Sequence, residues 1–174
     1  FSKSKTLFPK ELFLDSNYIG GLIFVFLFGL LLVPPFILMP DFLSSIGGYP
    51  IDAIGIILAT SGLGGMTGTL IASRLLSYGY YKSFMIIGLL AYMIGQYYMT
   101  LWNSEVTMSM MMTNGIIRGL GIGLFYPALA TATYVTLPGK LRDHGASLFQ
   151  FIRNLGSAVA IAIIVILMDR FYKT

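Results

Sequence analysis

Five apolar runs, each near or above the length that crosses a bilayer and joined by short polar linkers, decide what this chain folds into. They lie at 18–39, 51–73, 83–101, 107–137 and 146–168. About 20 apolar residues cross a hydrocarbon core as a helix. A helix is the one open-ended element that satisfies its own backbone where water is absent. The runs therefore predict an all-α integral membrane protein of about five transmembrane helices. Composition agrees, because 56% of the 174 residues are hydrophobic, 10% are charged and the mean hydropathy is +0.82. That leaves too little polar surface to cover a water-soluble core. Within the runs, Pro34 and Pro35 predict an interruption of the first helix, and Pro127 predicts a kink in the fourth.

Several chemistries are excluded at this level. There is no Cys and a single His, which argues against disulfides, thiolate chemistry and a metal centre. No phosphate-binding loop, nucleophile elbow or pair of buried acids is visible, so no cofactor and no catalytic residue is expected. A net charge of +4 is no nucleic-acid signature, and its distribution matters more. Lys3, Lys5 and Lys10, then Arg74 and Lys82, then Lys140 and Arg142 occupy alternate linkers, while Asp41 and Glu105 mark the others. Lys and Arg are retained on the cytoplasmic side. The N-terminal end is thus expected in the cytoplasm of a plasma (inner) membrane and the end near Lys173 outside, with Arg170 and Lys173 opposing this but outnumbered. The absence of an initiator Met and the odd helix count imply a segment that begins mid-protein and lacks at least one helix after Thr174.

Arg118 is the sharpest candidate, since it lies deep in the fourth run, where a cation costs roughly 2.5–3.5 kcal/mol on insertion scales. It must face protein or water. On a helix Asn114, Arg118 and Phe125 share one face, and Gly115, Gly119 and Gly123 form an adjacent small stripe that admits a neighbouring backbone. Either Arg118 bonds structurally to a neighbouring helix or it serves transport or coupling. In the fifth run Gln150, Arg153, Ser157 and Ala160 share a face with Asn154 beside it, presenting polar groups to the bundle or to a cytoplasmic vestibule. Arg153 also lies within snorkelling reach of the interface. In the second run Ser61/Gly65 and Gly64/Gly68 are small pairs four apart, the spacing of close helix packing. Leu12, Phe13 and Tyr18 read as headgroup-level residues, as do Tyr78, Tyr80 and Tyr81. No acidic residue lies deep in a run, so any proton-carrying carboxylate is expected outside this segment.

Three stretches carry a family resemblance. Phe8-Pro-Lys-Glu-Leu-Phe-Leu-Asp-Ser-Asn-Tyr-Ile-Gly-Gly21 resembles the entry to the C-terminal half of the EmrB/QacA-type drug:proton antiporters, a fourteen-helix branch of the major facilitator superfamily. Asn114-Gly-Ile-Ile-Arg-Gly-Leu-Gly-Ile-Gly-Leu-Phe-Tyr-Pro127 resembles that family's arginine–glycine helix. Gly145-Ala-Ser-Leu-Phe-Gln-Phe-Ile-Arg-Asn-Leu-Gly156 resembles the helix after it. The linker from Gly68 to Lys82 is similar to the superfamily's gating loop, with Ser77 near where that motif usually has Asp.

The resemblance implies part of a major facilitator C-terminal half in a proton-driven multidrug exporter working by alternating access. Its partners would be the N-terminal half and last helix of the same transporter, a lipophilic small molecule and protons. In a Gram-negative source a periplasmic adaptor and an outer-membrane channel would join them. Arg118 would tune proton coupling, with Asn114 and Phe125 facing the cavity, and Arg153, Asn154 and Gln150 would line or latch the cytoplasmic end. Drugs, fatty acids and bile salts all suit such a cavity. A metabolite symporter of the same superfamily is the alternative within transport. A membrane-embedded lipid-modifying enzyme, which would need clustered His or Asp, is the alternative outside it.

Overall fold

The computed structural model describes residues 9–45, 47–102 and 106–172. Lys3, Lys5, Phe8, Glu105 and Lys173, on which parts of the charge pattern and the first resemblance rest, lie outside the described residues. Among those described are five helices long and apolar enough to cross a membrane. They are α1 (Ser16–Ser45), α2 (Ile51–Leu75), α3 (Tyr81–Thr100), α4 (Met108–Tyr134) and α5 (Arg142–Tyr172). The shortest, α3, has 20 residues and so extends about 30 Å, the thickness of a hydrocarbon core. By these helices the chain is an all-α, multi-pass membrane protein.

The distribution of residue types fits that solvent. On α2 the buried set is Ile54, Ile57, Thr60, Ser61, Gly64, Gly68 and Ala72, mostly small or hydroxylated, whereas Leu63, Met66, Leu70 and Ile71 are exposed. Water would penalise so continuous an apolar surface; lipid tails do not. α1 and α5 run past their apolar runs, because hydropathy marks where lipid ends and not where the backbone stops bonding to itself. The helix α1 passes through Pro34, Pro35 and Pro40 without a break, so the interruption expected at Pro34 and Pro35 is absent. Each of these prolines withdraws one backbone donor, a loss membrane helices tolerate where packed neighbours or side chains re-satisfy the freed carbonyls. α4 likewise continues through Pro127. After α2, a short 3-10 turn (Leu76–Tyr78) ends at Gly79, whose φ of 85° is the left-handed value that glycine adopts without strain.

The chain divides into two compact units, Phe1–Ile37 with Thr133–Thr174, and Leu38–Ala132. In the first, α1 and α5 run parallel, since Tyr18 meets Gly145, Phe26 meets Gly156 and Gly29 meets Arg153 and Ser157. Their backbones touch at glycine: a Cβ on Gly156 would meet the Phe26 carbonyl, and one on Gly29 would meet the Arg153 carbonyl. The Ser157 hydroxyl donates to Gly29 O at 3.4 Å. The Tyr134 and Phe149 rings pack edge to face, 5.4 Å between centroids. Leu12 and Tyr18, expected at the headgroups, are instead fully buried. The cause is specific, as the Tyr18 hydroxyl donates to Gly145 O at 2.8 Å. Tyr18→Phe, which removes this bond but leaves Gly145 O its partner within α5, is expected to cost about 1 kcal/mol, read as a lowered midpoint of thermal unfolding in detergent.

Asp15 caps α1, accepting the Tyr18 N–H at 3.0 Å. Hydrogen bonds from the Thr136 hydroxyl and from the Tyr18 backbone hold its carboxyl below the ordinary value. A depressed carboxylate stabilises the fold above its unfolded value near 3.9 and loses that contribution as pH falls through its folded value. Asp15→Ala is therefore expected to lower stability by about 1 kcal/mol at neutral pH. The gap from the parent should narrow below roughly pH 4, as pH-dependent unfolding would show.

In the second unit α2 and α4 run parallel, Thr60 meeting Gly115, Gly64 meeting Ile116 and Gly68 meeting Leu120. α3 runs antiparallel to α4, Gly88 meeting Phe125 and Gly95 meeting Arg118. One end of this unit is closed by Met39, Leu43, Ile54, Ile57 and Met111, which pack as an apolar cluster.

Candidate functional site

Glycine places the backbones that surround Arg118. On the α2 side, Gly119 lies so close to α2 that a Cβ would meet Ser61 O and stand 2.8 Å from Gly65 N, and Gly123 contacts Gly65 O and Thr69 N in the same way. On the α3 side, a Cβ on Gly121 would be 2.6 Å from Tyr92 N and 2.8 Å from Gly88 O. α4 is thus pressed between two neighbours at backbone distance. Gly95, two turns beyond Gly88 on α3, leaves a notch that the Arg118 methylenes fill.

Arg118 is 3% exposed. Its Nη1 donates to Gln96 Oε1 at 3.3 Å and touches Met99 Sδ, while Nη2 donates to Ser61 Oγ at 3.3 Å and approaches Met39 Sδ at 3.8 Å. Nε has no partner. All four partners are neutral, so among the described residues the guanidinium charge is solvated by dipoles and polarizable sulfur and not cancelled by a bonded acid. One turn earlier Asn114, 5% exposed, donates from Nδ2 to Gly95 O at 2.8 Å, and its Oδ1 has no partner among the described residues. The two polar residues therefore leave one unmet donor and one unmet acceptor inside a membrane helix bundle.

Phe125 is equally buried, but its backbone lies against Gly88, about two turns from Arg118, and the structure does not bring it to the guanidinium. Gly115, Gly119, Gly123, Gly64 and Gly68 all lie at the α2–α4 contact. Gln150, Arg153 and Asn154 belong to the other unit. Arg153 is half-buried and donates from Nη2 to Asn154 Oδ1 at 3.4 Å, while Gln150 and Asn154 are exposed. Since α5 begins at Arg142, Arg153 sits about three turns into that helix, one turn deeper than the apolar run implied. No group of three His, Asp or Glu able to hold a metal occurs among the described residues.

Sequence reasoning missed Gln96, Met99 and Met39, which supply most of the contacts to Arg118. Gln96 carried a usable signal, being a polar side chain inside an apolar run one residue after a glycine. The pattern Gly88, Tyr92, Gly95 on one face of α3 was a second one.

No family model and no solved structure matches the chain. Over 157 residues it is 22% identical to Multidrug resistance protein 3 of Bacillus subtilis (strain 168). The match covers 90% of this chain and 30% of that relative, so the chain spans less than a third of the curated protein it resembles.

Proposed function

We propose that this chain is a C-terminal portion of a proton-driven multidrug exporter of the major facilitator type, working by alternating access in the plasma (inner) membrane. The observation that carries the reading is the buried cation, Arg118, whose bonded partners among the described residues are all neutral. A charge kept there at a cost is retained for what its field does, by default to a proton, an ion or a substrate. The likeness to a multidrug resistance protein along most of the chain supports the same reading. In it, the field of Arg118 lowers the proton affinity of a carboxylate in a partner half, Asn114 offers an amide to the ligand path, and Phe125 contributes apolar wall. Arg153, Asn154 and Gln150 latch the cytoplasmic end. The complete transporter adds an N-terminal half and a last helix, and in a Gram-negative cell a periplasmic adaptor and an outer-membrane channel.

The test uses the full-length protein that carries this chain, in everted vesicles with an acidified lumen. Ethidium should accumulate inside, and nigericin, which collapses the pH gradient, should abolish the accumulation. No gradient-dependent accumulation would defeat the export reading, and movement of solute and protons in the same direction would favour a symporter.

A second reading has its own observation. The bonds from Arg118 to Ser61 on α2 and Gln96 on α3 tie three helices together, as a structural clamp would. The two readings differ over what the loss of the charge does to stability.

A further inference from the structure

Arg74 and Lys82 are the only charged residues between Asp52 and Glu105. Since α2 and α3 lie on α4 in opposite directions, the last turn of α2 and the first turn of α3 stand at the same end of their unit, joined by the turn that Gly79 closes. We propose that this turn holds the headgroup of an anionic phospholipid, with Arg74 and Lys82 on its phosphate and with Tyr78 and Tyr80 at the level of its glycerol.

The two charges are free to do so. Neither side chain has a hydrogen bond or ion pair among the described residues. Arg74 is not spent on capping its own helix, because the carbonyls there have other donors. The Leu76 N–H bonds to Ala72 O, the Ser77 hydroxyl donates to Arg74 O at 2.9 Å, and the Gly79 N–H donates to Leu76 O at 3.0 Å. Lys82 stands in the first turn of α3 with no acid in that turn, at the helix end that favours an anion over a cation. The acids of this unit lie at its other end. Asp52 opens α2 and Arg74 closes it, both exposed and roughly 33 Å apart along the helix, several screening lengths. Asp41 goes with Asp52, since its neighbours Met39 and Leu43 pack with Ile54 and Ile57. Glu105, outside the described residues, follows the far end of α3 in the sequence. In the other unit, by contrast, Lys10 is followed at once by Glu11 and Arg142 by Asp143.

The residues one turn deeper set the partner's class. Leu70 and Ile71 share the side of α2 that carries Arg74, and Ile86 shares the side of α3 that carries Lys82; all three are exposed. Cations placed one turn above a bare aliphatic surface match a molecule with a phosphate at one end and acyl chains at the other, whereas a free phosphate would use only the upper part. Tyr78 and Tyr80, 73% and 63% exposed, put ring and hydroxyl where hydrocarbon gives way to headgroups. Two unopposed cations on one turn favour an anionic headgroup over a zwitterionic one, whose own positive group they repel.

The inference rests on the membrane-spanning fold and not on export. Tyr78→Trp supplies a reporter at the turn in the full-length protein that carries this chain, with Trp102→Phe and the tryptophans outside this chain also changed to Phe. The protein is placed in phosphatidylcholine nanodiscs that contain a small fraction of either phosphatidylglycerol or phosphatidylcholine brominated near the glycerol end of its acyl chains, since bromine quenches indole on contact. At equal mole fraction the brominated phosphatidylglycerol should quench as though enriched on the order of tenfold at the turn. Arg74→Gln with Lys82→Gln should erase the enrichment, and Arg74→Lys with Lys82→Arg, which keeps both charges, should retain it. Equal quenching by the two lipids in the reporter protein would overturn the proposal whether or not the uncharged variant folds, and is the result expected if an acidic segment elsewhere in the full-length protein covers the turn. Enrichment that survives the loss of both charges would overturn it as well. Enrichment abolished by excess inorganic phosphate at constant ionic strength would assign the turn to a soluble anion and reject the lipid.

Discussion

Arg118→Met is expected to cut gradient-driven ethidium export by roughly tenfold or more while leaving the protein about as stable and as abundant as the parent. The Met side chain fills the notch beside Gly95 that the Arg118 methylenes occupy. It also relieves a cation that costs roughly 2.5–3.5 kcal/mol at the centre of a membrane helix. Against this stand the two hydrogen bonds to Gln96 and Ser61, each long at 3.3 Å and together worth about the same. The net change in stability should lie within about 1 kcal/mol of zero. A structural clamp predicts the opposite pattern, a loss of about 3 kcal/mol or more with export falling only as the protein is degraded. Arg118→Lys keeps the charge but lacks the planar fork that reaches two helices at once, and should retain part of the transport. Proton-coupled uptake in everted vesicles, with thermal unfolding of the same variants in detergent, separates these outcomes.

Gly119→Ala and Gly121→Ala are expected to be among the most damaging small substitutions at the described glycines. A methyl group at Gly119 meets Ser61 O and lies 2.8 Å from Gly65 N, and one at Gly121 lies 2.6 Å from Tyr92 N. In both cases the opposing atoms are backbone, so no side chain can swing aside and the helices themselves must separate. Overpacking of this kind costs about 1–3 kcal/mol per site, and the pair should exceed either alone because they force α4 away from two neighbours. Gly62→Ala supplies the control, since nothing lies within 4 Å of a Cβ there, and should be silent or slightly stabilising. The expected readout is membrane abundance and unfolding temperature. Equal tolerance at Gly62, Gly119 and Gly121 would mean that α4 is not clasped as described.

What the amino-acid order made legible follows from the solvent. Lipid tolerates apolar residues on every exposed face, so the spans stand out as uninterrupted runs, and a guanidinium within one is conspicuous at Arg118. The stripe of Gly115, Gly119 and Gly123 was equally plain, as residues four apart share a face whatever they pack on. Helix ends were less legible: Asp41, Ser44 and Ser45 and Arg142 to His144 are helical though polar, because past the lipid boundary water and self-bonding compete on even terms. The surroundings of Arg118 were legible only as scattered hints. Gln96, Met99 and Ser61 come from other helices, and which residue of α3 falls opposite which of α4 depends on notches such as Gly88 and Gly95 acting together. Tyr18 was misjudged for a related reason, as an aromatic at a span's start suits the interface unless a carbonyl such as Gly145 O awaits its hydroxyl.

The parallel pairing of α1 with α5 also dictates an order of events during synthesis. The Ser157–Gly29 bond joins residues 128 apart, so the first helix enters the bilayer with its glycine furrow vacant and stays so until the fifth has been threaded. Distant pairings of this kind are formed late and leave earlier surfaces unguarded. A nascent chain halted after α4 would therefore present Gly29 and the Tyr18 hydroxyl to whatever insertase or protease surveys half-made membrane proteins.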